Sequence, residues 1–174
     1  LEFRRVLFRS TLMDEKCCGV AMISNAMWSA ARKNARHNVS LFAKAAGEGL
    51  PIVCASSTCT FTMRDEYPYI LEVDNSSVRD SITLVEKFIY ELIDRGEATL
   101  VFRKDYAQRI AYHIPCHMEK LGWSIFTRRL LEMSPGISLT VLDSACCGMA
   151  GTYGFKKENY KYHCINLLLK CNSN

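Results

Sequence analysis

Two Cys-Cys-Gly triplets, Cys17-Cys18-Gly19 and Cys146-Cys147-Gly148, constrain this chain more than any other feature. Each runs into a small apolar pair, Val20-Ala21 and Met149-Ala150. Adjacent thiols pack poorly and have poor geometry for one strain-free disulfide. They suit two thiolates set against one soft metal centre, with the glycine letting the backbone come close. Two copies predict a duplicated metal-binding unit.

The rest of the cysteine count points the same way. Nine cysteines in 174 residues is high, and the bland explanation is a secreted disulfide scaffold. The odd number, the lack of a secretory signal and the long helical stretches oppose it. A reducing compartment with metal-bound thiolates is expected instead. Apolar residues make up 49% of the chain, ample for a core, and the net charge of +4 is mild. Basic residues are scattered, so no nucleic-acid partner is expected. No apolar run approaches the ~20 residues that span a bilayer. Any membrane contact is expected to be peripheral or through a partner.

The two ends differ in character from the middle. Residues 1–10, LEFRRVLFRS, read like a translated cloning linker, and residues 161–174 change composition abruptly. Both are expected to be non-native, leaving two truncated repeats at 11–97 and 98–160.

Between those ends, helix and strand signals alternate. Residues 21–47 are rich in Ala, Met, Lys and Arg and predict a helix stopped at Gly47 and Gly49. Residues 51–55 predict a buried strand, and Ser56 to Thr58 offer a cap for a short helix reaching about Glu66. Ile82, Val85, Phe88, Ile89, Leu92 and Ile93 place one apolar face on a helix over 80–95. A strand at 109–114, a helix at 118–133 and a strand at 137–142 follow. The last strand leads through Asp143-Ser144-Ala145 to Cys146. This order predicts an α/β fold with mostly parallel strands, and ligands in such folds gather beyond the carboxyl ends of the strands. Both cysteine pairs are expected between a strand end and a helix start, where the helix dipole favours thiolate.

The spacing of the other cysteines extends the pattern. Between Cys116 and Cys146 lie 29 residues, room for one helix and one strand. Such a crossover returns Cys146 and Cys147 to the sheet edge that holds Cys116. In the first half, Cys59 follows a strand and is the better ligand candidate, whereas Cys54 lies inside that strand and is expected in the core. No C-x2-C pair occurs, which disfavours zinc, and no C-x2-C-x2-C run of a bacterial ferredoxin is present. Gly148, Gly151 and Gly154 do not spell the G-x-G-x-x-G of a dinucleotide site but would expose N–H groups near the second triplet. His113 and His117 flank Cys116 as candidates for a sulfur hydrogen bond or a proton relay, or as ordinary structural histidines.

The triplets, with SSTCTFTMRDEY at 56–67, YHIPCHMEKLG at 112–122 and VLDSACCGMAGTYGFKKENY at 141–160, resemble the cysteine-rich CCG-domain family. That family includes iron–sulfur subunits of heterodisulfide reductase, of glycolate and lactate oxidation systems and of anaerobic glycerol-3-phosphate dehydrogenases. The last group is the nearest in these segments. The resemblance implies metal ligation by Cys17, Cys18 and Cys59 in one repeat and by Cys116, Cys146 and Cys147 in the other. The cofactor it implies is a [4Fe–4S] cluster, either cubane or of the non-cubane form that such motifs hold in heterodisulfide reductase. Ser56 stands where the family's first C-x2-C begins, and the second C-x2-C would fall beyond residue 174. The implied function is electron transfer, without catalysis of its own, from flavoprotein dehydrogenase subunits toward membrane quinone. The implied location is peripheral, on the cytoplasmic face of a bacterial inner membrane. A thiol/disulfide redox enzyme and a cluster-free docking module are the competing readings of the same cysteines.

Overall fold

The computed structural model describes residues 10–103, 105–142 and 146–171, with side chains described as far as 165. Residues 1–9 of the expected linker, Asp143-Ser144-Ala145 and the last three residues of the expected tail lie outside the described residues.

The fold is α/β and built twice from one scheme, two parallel strands and the helices between and beside them. In the first repeat, α1 (Val20–Ile23) and α2 (Trp28–Gly47) precede β1 (Ile52–Cys54). Helix α3 (Ser57–Phe61) continues through a π-helical turn (Thr62–Glu66) into α4 (Tyr67–Tyr69). Strand β2 (Ile82–Leu84) then runs into α5 (Val85–Asp94). Strands β1 and β2 pair in parallel, Cys54 opposite Leu84. In the second repeat, β3 (Gln108–Tyr112) leads to α6 (Cys116–Leu121) and α7 (Ser124–Glu132), and β4 (Ile137–Val141) returns parallel to β3, Tyr112 opposite Val141. Helix α8 (Tyr160–Cys171) follows the second triplet.

Three expectations need correction. The 80–95 segment is not all helix, because Ile82–Leu84 pairs with β1 before α5 starts. Ile82 and Leu84 are buried on one face of that short strand, and Ile82 falls in step with the apolar stripe of the helix that follows. The 118–133 helix is two helices, since Gly122 adopts φ +70° and ends α6. The 21–47 helix is likewise interrupted, with Ala26 at φ +57°.

The core lies in the first repeat. Ala31, Ala35 and Phe42 from α2 meet Ile52, Met63, Tyr67, Leu71, Val78 and Ile82. The second repeat is thinner and leans on the first. Helix α7 packs on α5, where Phe126 meets Tyr90 at 5.5 Å between ring centroids. Trp123 is covered by cations of the first repeat, with Arg64 5.1 Å and Lys87 5.5 Å from its ring. These contacts give Trp123 and Phe126 a packing role.

Candidate metal centre

The first triplet is held by asparagines, not by a strand. Residues 10–18 run without regular structure, so the strand expected before Cys17 is absent among the described residues. Asn38, fully buried on α2, replaces it as an anchor. Its side-chain oxygen accepts the Lys16 N–H at 2.8 Å, and its amide donates to the Lys16 carbonyl at 2.9 Å and the Tyr67 hydroxyl at 3.0 Å. Asn34 donates to the Cys17 carbonyl at 3.2 Å. Gly19 then turns the chain at φ +97°, a conformation that disfavours a side chain, and α1 begins. The result leaves Cys17 exposed and Cys18 buried.

Cys59 reaches Cys18 from the first turn of α3. The Ser56 hydroxyl oxygen caps that helix, accepting the Cys59 N–H at 3.4 Å. The Cys18 thiol donates to the Cys59 sulfur, so the pair shares one proton. That bond, aided by a hydrogen bond from Ser56 and opposed by burial, lowers Cys59 to about 6. Cys18 is pushed well up by the same bond and by burial. Cys17, Cys18, Cys54 and Cys59 all line one cavity of about 870 Å³, whose remaining wall is largely apolar, with Phe42 and Met63 among its lining residues.

The second set is gathered by the sheet, as the crossover predicts. Strand β3 delivers Cys116 to the start of α6 behind Pro115. Strand β4 ends beside it, and the Leu142 N–H still donates to the Tyr112 carbonyl at 2.9 Å. Cys116 and Cys146 are hydrogen-bonded through their sulfurs. Burial and then the neighbouring Cys146 and Cys147 raise the Cys116 thiol above its ordinary value. Gly148, at φ +79°, donates its N–H to the Cys146 sulfur at 3.4 Å. His163 of α8 donates from Nδ1 to the Cys147 carbonyl at 2.8 Å. The expected helix start after the second triplet is corrected to turns and a 3-10 turn at Tyr153–Phe155.

The two sets flank one seam between the repeats. His117, next to Cys116, stacks on Phe61 at 5.0 Å, and its Nδ1 lies 3.1 Å from the hydroxyl of Thr58, next to Cys59. Asn25 donates to the Thr152 hydroxyl at 2.8 Å. His117 thus meets the opposite repeat. Asn38, Thr58 and the hydroxyl of Ser56 escape a reading of the sequence for ligands. The cap signal at Ser56 to Thr58 is the one available clue, because Asn38 reveals itself only through partners 22 and 29 residues away.

Among the described residues, no three His, Cys, Asp or Glu side chains already stand around a single ion. The donors that do converge are thiols, and amide and hydroxyl hydrogen bonds reach their sulfurs. Such a donor set fits a polynuclear sulfur-ligated centre in kind, because a cluster spreads its thiolates over several metal atoms.

Comparison with known proteins agrees with this chemistry. A family described as "Cysteine-rich domain" (CCG) matches residues 2–64 and 110–167. An anaerobic glycerol-3-phosphate dehydrogenase subunit of Escherichia coli K12 is 51% identical over 150 residues, covering 86% of this chain and 37% of that protein. Lactate utilization protein A of Halalkalibacterium halodurans is 28% identical over 149 residues, 82% of this chain and 59% of its own length. An uncharacterized iron-sulfur protein of Methanocaldococcus jannaschii is 26% identical over 140 residues, 79% of this chain and 25% of its own. The chain therefore spans little more than a third of the E. coli relative. No solved structure matches it.

Proposed function

Because the chain belongs to the cysteine-rich CCG-domain family, we propose that it is an iron–sulfur electron-transfer unit of an anaerobic dehydrogenase complex. Cys116, Cys146 and Cys147 hold one centre, and Cys17, Cys18 and Cys59 contribute to a second. The observation that carries the reading is the meeting of Cys116 with Cys146 across 29 intervening residues, with Cys147 beside them. A [4Fe–4S] cluster, cubane or non-cubane, supplies one-electron chemistry at little structural cost when bound.

The chain's own residues prepare the ligands. The Gly148 N–H withdraws negative charge from the Cys146 sulfur. His163 fixes the Cys147 backbone, and Ser56 steadies Cys59. The similarity to a component of a glycerol-3-phosphate dehydrogenase supports flavoprotein partners that oxidise glycerol 3-phosphate, with electrons passing on to membrane quinone. A peripheral position on the cytoplasmic face of a bacterial inner membrane accords with this. Among the described residues no helix is long and apolar enough to cross a membrane.

A thiol/disulfide activity is the second reading. The proton shared by Cys18 and Cys59 favours it, since a thiolate at neutral pH is the nucleophile such exchange needs. Anaerobic isolation with iron and sulfide analysis and visible absorption separates the two. The expected result is iron and acid-labile sulfide with a broad sulfur-to-iron band, sharply reduced in Cys146→Ser and partly in Cys17→Ser. A colourless, iron-free protein whose activity disappears on alkylation would establish the thiol enzyme instead.

A further inference from the structure

We propose that Cys54 is the fourth thiolate of the first set, standing in for the cysteine that Ser56 replaces. This inference rests on the iron–sulfur reading above. The sequence pattern sends Cys54 to the core, and the family's ligand positions do not include it. The structure keeps Cys54 packed against the core and also opens it to the cavity. Cys54 is the last residue of β1, opposite Leu84 in register, at the carboxyl edge of the first sheet. The second sheet sends Cys116 and Cys146 out from its own carboxyl edge. Cys54 is only half-buried, and it lines the same cavity as Cys17, Cys18 and Cys59.

Ser56 is poorly suited to the role. Its oxygen caps α3 by accepting the Cys59 N–H, and a neutral alcohol is a hard, weak donor to a soft centre. With Cys54 counted, four thiols surround one cavity of about 870 Å³. Four is the complement that a cubane cluster takes. The first repeat therefore completes its thiolate set from within this chain, two residues upstream of the family position.

The test uses the whole chain carrying Cys116→Ser and Cys146→Ser, so that iron reports on the first set. The metal-free protein is reconstituted anaerobically with ferrous iron and sulfide. Iron per chain and the sulfur-to-iron absorption band are then measured with Cys54 intact and as Cys54→Val and Cys54→Ser. Valine keeps the volume and apolar character that a packing role needs. The expected result is a loss of about tenfold or more in bound iron at limiting metal for Cys54→Val. Cys54→Ser should retain a weaker, shifted band. Unchanged iron and an unchanged band in Cys54→Val would overturn the assignment to Cys54 and leave the iron–sulfur reading standing. No iron in this double variant with Cys54 intact would overturn the proposal alone, and no iron in the unaltered chain as well would overturn the iron–sulfur reading. Should Cys54→Val fail to fold by circular dichroism, iodoacetamide labelling at alkaline pH, where the metal-free Cys54 thiol reacts, with peptide mass analysis decides on unaltered Cys54. Iron should protect Cys54 along with Cys59, whereas protection of Cys59 alone would refute the proposal.

Discussion

Ser56 serves Cys59 twice, once as a cap on its helix and once as a hydrogen-bond partner of its sulfur. Together with the thiol of Cys18, it lets Cys59 ionise at about 6 instead of its ordinary 9.0. The thiolate is the reactive form, so labelling speeds up as pH rises through the folded value. In the metal-free chain, iodoacetamide modification of Cys59 should therefore reach its half-maximal rate near pH 6. Cys54, raised to about 11 by burial, should remain slow until strongly alkaline pH. Ser56→Ala should move the Cys59 midpoint upward and cost about 1 kcal/mol through the lost cap. A midpoint unchanged by that substitution would show that Cys18 alone sets it. At this scale the paired cysteines were legible because their chemistry is local. Asn38 was not, since a buried amide announces itself only by the backbone it anchors 22 positions away.

Elements were legible where one periodicity ran without interruption. Strands β3 and β4 fall within a residue or two of the pattern, and their parallel pairing follows from the crossover. The pattern failed where backbone geometry, not side-chain pattern, decided the outcome. Gly122 and Ala26 break helices through positive φ, which an apolar stripe does not register. Strand β2 is three residues long and shares its apolar face with the helix that follows. Gly136, at the entrance to β4, shows how tight one such junction is. A Cβ placed there would lie 1.6 Å from the Tyr106 carbonyl oxygen, a backbone atom that cannot swing aside. Its own carbonyl accepts the Gln108 N–H at 2.8 Å and opens the β3–β4 ladder. Gly136→Ala should destabilise the chain by about 3 kcal/mol or more, seen as a lower denaturation midpoint. It should also prevent Cys116 from meeting Cys146, seen as lost iron in the second set.

Across the molecule, the repeats depend on each other. Each sheet has only two strands, too few for independent stability without packing from outside. The seam built by His117, Phe61, Thr58, Asn25 and Thr152 supplies some of that packing. Burial lowers the His117 pKa, with Lys120 acting in the same direction and Glu66 against it. Its folded value lies below the ordinary 6.5, so folding favours the neutral ring. Its contribution to stability is therefore full above 6.5 and is lost as pH falls through the folded value. Protection factors of the α3 and α6 amides, corrected for the intrinsic pH dependence of exchange, should fall on acidification below that point. His117→Phe, which keeps a ring against Phe61 without a titrating proton, should flatten the response. Equal acid sensitivity in the variant would place the effect elsewhere. The seam also has a consequence during synthesis. Thr58 leaves the ribosome well before His117, so the growing chain carries the first group of sulfurs without the surface that later steadies them. Until the second half emerges, Thr58 and Phe61 lack their His117 partner, and the helix that carries Cys59 is held by the first repeat alone.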